Sequence, residues 1–401
     1  MARRVVITGM GAISPLGHGA AATMQAMAAG RSGISNLEIP NVERLQIRIG
    51  GQIKGYDEAA HFTRQEIALY DRFTQFAVLA AREAVAQAGV AVAGDKTGVI
   101  LGTSGGGLHT QDENFRKVYE EGKNRVHPFV VPRLMSSAAA SHLSMIFKAT
   151  GPCYTVSTAC ASSNHAMGQA FQMIRAGMAD RMLTGGAESM LTFGGIKAWE
   201  GLRVMSKTGC RPFSSDRDGM VQGEGAAVFV FEALEAAQAR GAEILAEITG
   251  FAMTSDACDI VKPNRVGAER AIAGALADAG LFPADIGYIN AHGTGTTIND
   301  RTECEAIQTV FGAHAKGLAV SSTKSMHGHL IGATGAVELL ACIMALREGV
   351  IAPTINHSQA DAGCDLNFVA NKAQKANVGA VLSNAFAFGG LNAVLALQSA
   401  S

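Results

Sequence analysis

The apolar positions of the first hundred residues form short continuous runs that alternate with longer runs of helical spacing. Residues 5–7 are a continuous apolar run, and Gly9 and Gly11 follow directly, which predicts a buried strand that ends in a turn. Residues 76–87 have helical periodicity and stop before a glycine, and residues 97–101 form the next apolar run. Strands that alternate with helices predict an α/β fold with largely parallel sheets.

The same succession of elements occurs twice along the chain. A helix end at residues 84–89 and a similar helix end at 275–280 each precede an apolar strand. Helix ends rich in alanine and glycine can look alike by chance, and this alternative stays open. Repetition of several features in one order favours two similar halves, 1–240 and 241–401. The interface between such halves is the natural place for a functional site.

The composition favours a globular protein with a large core. Hydrophobic residues make up 48% of the 401 residues and charged residues 17%, which argues against disorder. The formal net charge of −1 provides no overall attraction to nucleic acid or to an anionic membrane. No stretch reaches the roughly 18 apolar residues of a membrane helix, and early glycines interrupt the first apolar run too soon for a signal peptide. We therefore expect a cytoplasmic protein with neither a membrane span nor a nucleic-acid partner.

The seven cysteines do not form a pattern typical of disulfides or zinc. They are widely spaced without a C-x-x-C pair, which suits a reducing cytosol and predicts no metal site. Cys160 differs from the others because small residues lie on both sides of it and a helical pattern follows at 164–176, which predicts a strand-to-helix junction with room for a substrate. The helix N-terminus at such a junction favours a thiolate and offers free N–H groups to an oxyanion. An inert buried cysteine is the alternative interpretation of Cys160.

Two histidines lie in polar loops next to apolar runs. His292 follows an apolar strand and precedes a Gly/Thr loop, although a hydrogen-bonded core histidine explains this pattern equally well. Lys324 and His329 share a Ser/Gly loop that continues into a helical pattern at 330–346. Lys324 is costly to bury without a partner, and Glu338 on the following helix is the partner we expect. A glycine-containing segment further on allows the backbone to approach a ligand closely.

Together, one cysteine and two histidines from separate segments form the set expected for nucleophilic catalysis. At these residues the chain resembles the elongating β-ketoacyl-acyl-carrier-protein synthases, in particular the synthase II branch of the thiolase-like condensing enzymes. The resemblance covers essentially the whole chain. It rests on four motifs in a fixed order, T-A-C-A-S at 158–162, N-A-H-G-T-G-T at 290–296, S-S-T-K-S-M-x-G-H at 321–329 and F-x-F-G-G at 386–390.

The resemblance implies a duplicated, five-layered αβαβα thiolase-like fold, with the nucleophile in residues 1–240 and the two catalytic histidines in 241–401. It implies a decarboxylative Claisen condensation of an acyl group on Cys160 with malonyl-acyl-carrier-protein, which gives 3-oxoacyl-acyl-carrier-protein in fatty acid or related acyl-chain elongation. His292 and His329 would polarise the malonyl thioester and stabilise the carbanion that forms as CO2 leaves.

Further roles follow from the same resemblance. Lys324 would orient the histidines with the support of Glu338. The backbone N–H groups of Cys160 and Phe388 would form an oxyanion hole, and Phe388 would also act as a gate between the acyl and malonyl sites. The residues at the phosphopantetheine arm and in the acyl pocket would be Thr294, Thr296 and Gln111. The enzyme would be a homodimeric acyltransferase that needs no metal or organic cofactor, because acyl carrier protein brings both substrates on phosphopantetheine.

Departures from the family pattern leave the acyl substrate open. Ala387 stands where the family often has glycine, and the basic residues that commonly meet the carrier protein are missing around 64–69. Arg72, Lys123 and Arg125 are the candidates to replace them. A ketosynthase of a specialised pathway, for very-long-chain, polyene or nodulation-type acyl chains, is the alternative function. A non-catalytic scaffold or partner subunit of the same fold is a more distant one.

Overall fold

A computed structural model describes residues 2–400 of the chain as a mixed α/β structure. The strands within these residues are β1 Val5–Ser14, β2 Gly17–His18, β3 Ser35–Asn36, β4 Ile49–Gly50, β5 Thr97–Gly102, β6 Cys153–Val156, β7 Arg181–Glu188, β8 Gly225–Ala233, β9 Ala246–Ser255, β10 Ile286–Asn290, β11 Ala319–Ser321, β12 Val350–Ile351, β13 Asn367–Phe368, β14 Gln374–Lys375, β15 Ala380–Ala387 and β16 Leu391–Gln398. The α-helices are α1 Ala20–Ala28, α2 Arg64–Leu69, α3 Arg72–Ala88, α4 Leu108–Tyr119, α5 Val130–Leu134, α6 Ala138–Phe147, α7 Ser162–Arg175, α8 Phe193–Leu202, α9 Leu234–Ala239, α10 Arg265–Ala279, α11 Thr297–Phe311, α12 Lys324–His327 and α13 Thr334–Glu348.

The first strand does not end at its glycines, so the predicted turn after residue 7 is wrong. β1 continues to Ser14 and is buried along its whole length. A Cβ on Gly9 would lie 2.1 Å from the carbonyl oxygen of Ala84, and a Cβ on Gly11 would lie 2.1 Å from that of Ala80. The two glycines therefore allow α3 to lie directly on the strand, which is the close-approach role of glycine in a strand rather than its turn role.

The main sheet is mixed rather than largely parallel. Its strands follow the order β13-β11-β10-β15-β16-β9-β1-β8-β7-β5-β6, and β2 pairs with β1. Neighbours are parallel toward both ends of this order, as in β10–β11 and β5–β6, but antiparallel in the middle, as in β1–β8 and β9–β16. The prediction missed the antiparallel strands because fully buried strands are continuous apolar runs in either arrangement.

Both halves of the sheet have one topology. Counted outward from the central β1–β9 pair, the strand order is β1, β8, β7, β5, β6 on one side and β9, β16, β15, β10, β11 on the other, where the two-residue β13 adds one more strand at the edge. Helices α3 and α10 pack on the outside of the two half-sheets, and α7 and α13 pack against each other between them. The result is the five-layered αβαβα arrangement of a thiolase-like fold. The exact division into residues 1–240 and 241–401 stays a prediction.

The middle layer is the most deeply buried part of the molecule. Every residue of α13 from Thr334 to Ala345 is buried, as is most of α7. Both helices are preceded by a turn of 3₁₀-helix, Ala159–Ala161 before α7 and Ile331–Ala333 before α13. The start of each central helix is therefore fixed in the interior, where the candidate site lies. None of the helices in residues 2–400 is long and apolar enough to cross a membrane.

Candidate active site

Cys160 lies at the junction that the sequence predicts, between β6 and α7. Its side chain is 6% exposed. The side chain of Ser162 holds the backbone of this junction in place. Its Oγ accepts from the N–H of Thr158 at 2.9 Å and donates to the carbonyl of Ala159 at 2.7 Å. Ala159 has a φ of 47°, a left-handed conformation that costs a residue with a Cβ about 1 kcal/mol or more. This strained turn presents Cys160 to the start of the central helix.

The two histidines of the second half meet this cysteine. His292 follows β10, and His329 follows α12. One ligand-capable atom from each of Cys160, His292 and His329 lies within 4.8 Å of the others. The imidazole centroids are 5.5 Å apart, with the rings nearly perpendicular. The structure thus brings together the three residues that the sequence placed in three separate segments.

Both histidines are neutral hydrogen-bonding groups in this environment. Burial, with the nearby charge of Lys324, lowers the pKa of His292 and of His329 well below its usual value. Nδ1 of His329 accepts from the N–H of Ile331 at 3.2 Å and lies 2.8 Å from Oγ1 of Thr334. Nδ1 is therefore an acceptor, so the proton of the neutral ring is on Nε2. Nε2 of His329 and Nδ1 of His292 have no hydrogen-bond partner among the described residues.

The thiol of Cys160 is buried among groups that favour its anion. Burial raises its pKa to about 12, while Lys324 and the backbone N–H groups of Phe388 and Cys160 act in the opposite direction. The two N–H groups that act in this direction belong to residues that both line the same cleft. An oxyanion formed on a carbonyl carbon bonded to this sulfur would lie within reach of the same two donors.

Lys324 and Glu338 form the buried pair that the sequence predicts. Nζ of Lys324 donates to Oε1 of Glu338 at 2.5 Å, and their side chains are 0% and 1% exposed. Burial raises the pKa of Glu338 to about 7, although Lys324 lowers it. Removal of one member would leave the other buried and unpaired, which typically costs about 3–5 kcal/mol. The pair therefore fixes the position of a positive charge close to both histidines.

The three reactive side chains open onto a cleft of about 310 Å³. Cys160, His292 and His329 lie in its lining, together with Thr294, Thr296 and Phe388. Within residues 2–400, these three side chains are the one set whose spacing could hold a metal ion. The proton on Nε2 of His329 opposes this use, because a coordinating imidazole nitrogen carries no proton. The arrangement instead suits a covalent nucleophile opposite two hydrogen-bonding imidazoles.

Comparison with known proteins assigns this architecture to a family. Residues 2–237 match the profile described as "Beta-ketoacyl synthase, N-terminal domain", and residues 245–358 match "Beta-ketoacyl synthase, C-terminal domain". This chain belongs to the beta-ketoacyl synthase family.

Individual ketosynthases are similar over the full length. Nodulation protein E of Rhizobium sp. (strain N33) is 46% identical over 99% of this chain and 100% of its own length. The 3-oxoacyl-[acyl-carrier-protein] synthase 2 of Staphylococcus aureus (strain COL) is 41% identical over 99% of this chain and 98% of its own. A solved type II PKS acyl-carrier protein in complex with its ketosynthase bound to the hexaketide superposes with a TM-score of 0.91, at 29% identity and full coverage of both chains.

The structure separates the sequence-predicted residues of this ketosynthase into two groups. Cys160 and the residues that line its cleft lie together, whereas Gln111 is exposed on α4 and lines a second cavity of about 710 Å³. The assignment of Gln111 to an acyl pocket stays a prediction. The guanidinium of Arg72 is paired with the buried Glu224 at 2.7 Å and lies over the ring of Phe76, while its side chain stays 24% exposed. Its suggested role in meeting the carrier protein stays a prediction.

Sequence reasoning missed the carboxylates that hold the histidine loop. Glu303 on α11 accepts from the N–H groups of His292 and Gly293, both at 2.8 Å, and from the amide of Asn384 at 3.1 Å. Burial raises the pKa of Glu303, and these hydrogen bonds act in the opposite direction. The sequence does show an acidic residue in the helix directly after the His292 loop. Acidic residues are equally common on the solvent-exposed face of a helix, so this pattern alone does not identify a buried carboxylate.

Two further buried carboxylates, Asp300 and Glu188, accept hydrogen bonds from backbone N–H groups of neighbouring loops. Asp300 accepts from the N–H groups of Thr294 and Gly295 at 3.0 and 3.2 Å, and it lies 3.5 Å from the guanidinium of Arg217. Arg217 belongs to the D-R-D-G segment at residues 216–219. This segment therefore helps to hold Asp300, which in turn fixes the loop that carries Thr294. Thr294 and Thr296 are joined through their hydroxyl oxygens at 2.8 Å, which keeps both at the wall of the cleft.

Glu188 performs the same task for the first half. It accepts from the N–H groups of Ser104 and Gly105 at 2.7 and 3.0 Å, from the hydroxyl of Thr103 at 3.0 Å, and from the N–H of Gly332 at 3.0 Å. The contact with Gly332 joins β7 of one half to the start of α13 in the other. Burial raises the pKa of Glu188 to about 7.

Proposed function

We propose that this ketosynthase condenses an acyl group on Cys160 with malonyl-acyl-carrier-protein, with loss of CO2, to give 3-oxoacyl-acyl-carrier-protein. The observation that supports this most directly is the approach of the Cys160 thiol and the two imidazoles to within 4.8 Å at one cleft. The names of the two similar proteins agree with it, since a 3-oxoacyl-[acyl-carrier-protein] synthase 2 is 41% identical over almost the whole chain.

The first half-reaction transfers the acyl group. The sulfur of Cys160 attacks the thioester carbonyl of the acyl carrier protein, and the new C–S bond forms as the carbonyl oxygen takes a negative charge. The N–H groups of Cys160 and Phe388, which act to lower the pKa of the thiol, are the proposed donors for that oxyanion. When the oxyanion collapses, the carrier thiolate leaves and takes up the proton that Cys160 lost. A thiolate suits this step because it is both a good nucleophile and a good leaving group.

The second half-reaction needs groups that stabilise an enolate. The C–C bond of the malonyl group breaks, CO2 leaves, and the electron pair moves onto the thioester as an enolate. Both histidines line the cleft, and Nε2 of His329 has no hydrogen-bond partner among the described residues, so this N–H and the ring of His292 are the groups proposed to hydrogen-bond the enolate oxygen. The enolate carbon then attacks the acyl carbonyl, and Cys160 leaves as the thiolate. Neutral imidazoles suit this role because their hydrogen bonds stabilise the negatively charged, enolate-like transition state more strongly than they stabilise the uncharged thioester of the ground state.

Acyl carrier protein is the proposed source of both substrates, carried on phosphopantetheine. A solved ketosynthase of the same fold is described in complex with its acyl-carrier protein. Thr294 and Thr296 line the cleft, and their hydroxyls are the groups proposed to contact the phosphopantetheine arm. Phe388 on the same wall is the proposed gate residue. Seven free cysteines agree with a cytoplasmic location, where thiols stay reduced.

A homodimer is the proposed assembly. Helices α4, α5 and α6 each carry an exposed large apolar side chain, with exposed fractions of 81% for Tyr119, 63% for Val131 and 62% for Met145. Exposed apolar side chains that adjoin mark a protein contact, and a second copy of the chain is the occupant we propose for these helices. Val131→Glu should place a charge in that contact and shift the protein toward monomer in sedimentation velocity. An unchanged sedimentation profile would show that this face is not the dimer contact.

The function is tested by intact-protein mass spectrometry after incubation with a panel of acyl-carrier-protein thioesters. The wild type should gain one acyl group, Cys160→Ala should gain none, and the exposed Cys258→Ala should gain one as the matched control. Addition of malonyl-acyl-carrier-protein should then release CO2 and 3-oxoacyl product from the wild type. A wild type that accepts no acyl group would support the non-catalytic scaffold instead.

The similarity to a nodulation protein favours one alternative substrate range. Nodulation protein E is 46% identical over 99% of this chain, so a specialised acyl chain is the second candidate. The same panel distinguishes the two, because an enzyme of ordinary fatty acid elongation should load saturated acyl groups faster than polyunsaturated ones. A preference for the unsaturated thioesters would assign the specialised pathway.

A further inference from the structure

A third buried histidine lies two residues before His329. His327 occupies the variable position of the S-S-T-K-S-M-x-G-H motif and ends α12, the short helix that Lys324 begins. Its side chain is buried and does not line the cleft, and neither half-reaction uses it. A polar ring is costly to bury unless its nitrogens are hydrogen-bonded, so the contacts of His327 show what the ring does in this position.

Both ring nitrogens of His327 have partners, and these partners fix the position of its proton. Nδ1 lies 2.7 Å from the carbonyl oxygen of Gly328, and Nε2 lies 2.9 Å from Oγ1 of Thr323. A carbonyl oxygen can only accept, so Nδ1 carries the proton and Nε2 accepts from the hydroxyl. Burial and the nearby charge of Lys324 lower the pKa of His327 to about 3, so the ring is neutral. Its tautomer is the opposite of that of His329.

The peptide group between Gly328 and His329 is held at both ends. Its carbonyl accepts from the ring of His327, and its N–H donates to the carbonyl of Val221 at 2.6 Å. Within residues 2–400 no backbone N–H donates to the carbonyl of Gly328, so the imidazole anchors this end. Gly328 has a φ of 75°, and a glycine leaves the adjoining peptide free to rotate. Because a peptide group is planar, its orientation sets the position of the next Cα, which is that of His329.

We propose that His327 is a positioning residue that sets the approach of His329 to the cleft through the carbonyl of Gly328. The inference rests on the proposed function, because the step that it affects is malonyl decarboxylation at His329. The contact with Thr323 has a smaller part, since it holds the ring but does not touch the peptide group before His329. A variant that keeps the contact with Gly328 alone should therefore keep the decarboxylation rate.

Two substitutions separate the contacts, because asparagine and glutamine reproduce different ring nitrogens. His327→Asn has its amide nitrogen at the position of Nδ1, so it can donate to Gly328 but is too short to reach Thr323. His327→Gln has its amide at the distance of Nε2, so it can accept from Thr323 but loses Gly328.

The test measures CO2 release from malonyl-acyl-carrier-protein in single turnover. The rate should stay close to that of the wild type in His327→Asn and fall roughly tenfold to a hundredfold in His327→Gln, the order expected when a catalytic group is displaced by about 1 Å. In steady state, kcat of His327→Gln should fall more than KM rises, because the change affects the reacting geometry rather than the binding of the carrier. Acylation of Cys160 should keep the wild-type rate in both variants, because the other half of the molecule holds the nucleophile.

His314→Leu is the matched control, since it removes another contact between an imidazole and a backbone carbonyl. Nε2 of His314 lies 3.0 Å from the carbonyl oxygen of Ile286, and His314 does not line the cleft. Its loss should lower the urea midpoint of unfolding and leave the decarboxylation rate unchanged. Equal rates in His327→Asn and His327→Gln, or rates that follow the stability of all three variants, would overturn the role of His327.

Neutron diffraction from crystals of the wild type provides a measurement that needs no variant. It should show deuterium on Nδ1 of His327, directed at the carbonyl of Gly328, and on Nε2 of His329. Deuterium on Nε2 of His327 instead would overturn the inference, even if His327→Gln does not fold. A folded wild type that releases no CO2 from malonyl-acyl-carrier-protein would overturn the proposed function instead, so the two failures are distinct.

Discussion

Glu303→Gln tests whether the buried carboxylate on α11 positions His292. In the native site Oε1 accepts from the N–H of His292 and from the amide of Asn384, and Oε2 accepts from the N–H of Gly293. Glutamine has one oxygen and one NH2 group, so at least one backbone N–H must face another donor in either orientation. The less costly orientation keeps the oxygen at the Oε1 position and leaves the N–H of Gly293 unpaired.

The size of the effect follows from burial. Glu303 and His292 are 0% and 2% exposed, so water does not replace the lost partner. An unsatisfied buried donor costs about 1–3 kcal/mol, and the free energy of unfolding should fall by that amount in urea titrations followed by circular dichroism. The rate of malonyl decarboxylation should fall by roughly tenfold to a hundredfold, because displacement of a catalytic group by about 1 Å has effects of that order.

Glu305→Gln is the matched control on the same helix. Glu305 is exposed two residues further along, so the same chemical change there should alter stability by no more than about 0.5 kcal/mol. Because a positioning role acts on the reacting geometry, kcat should fall more than KM rises in Glu303→Gln. The reasoning would be refuted if the two variants had equal stability and equal decarboxylation rates.

Three further predictions follow from the same contacts. His329→Ala should slow malonyl decarboxylation by roughly a hundredfold or more, the scale of one lost oxyanion donor, while acylation of Cys160 suffers less; equal losses in single-turnover assays of both steps would contradict the division of roles. Ala387→Gly should speed acyl loading more than decarboxylation, since a Cβ at the end of β15 restricts the loop that carries the gate; identical loading rates and identical hydrogen exchange in this loop would show that residue 387 never limits it. Burial raises the pKa of Glu188 in the folded state to about 7, so between about pH 4.5 and pH 7 the folded protein binds a proton that the unfolded chain does not. The contribution of this proton to stability is fully present below about pH 4.5, the ordinary pKa of a glutamate, and is lost as the pH rises through about 7. The free energy of unfolding should therefore fall with a slope of up to about 1.4 kcal/mol per pH unit. Thermal melts of Glu188→Gln should lack this part of the pH dependence, and a slope equal to that of the wild type would refute the assignment.

The parts of the site that could be predicted are those whose structure is determined by residues close to them in the sequence. Cys160 was recognisable because small residues flank it and a helical pattern follows, and the structure places it at the predicted strand-to-helix junction. Lys324 indicated a buried partner because a lysine among apolar neighbours is costly, and Glu338 is that partner. In both cases the sequence within about fifteen residues contains the physical reason.

The parts that could not be predicted depend on contacts between distant segments. Gly9 and Gly11 have the local signature of a turn, and only the close approach of α3 explains why they remain in β1. Glu303 belongs to a helix with several acidic residues, and the sequence does not indicate which of them faces inward. Glu303 faces inward because the His292 loop folds back onto α11. This contact belongs to the tertiary structure and leaves no signal in the local sequence.

The duplication explains why the reactive groups converge. Ala159 and Ile331 have φ values of 47° and 48°, and each begins the 3₁₀ turn that leads into a central helix. One turn presents Cys160, and the other follows His329 and supplies the N–H that fixes its tautomer. Because both helices begin at the same buried interface, the partial positive charges of their N-termini act on one small volume. That volume is where the proposed reaction develops negative charge, first on the acyl carbonyl oxygen and then on the enolate.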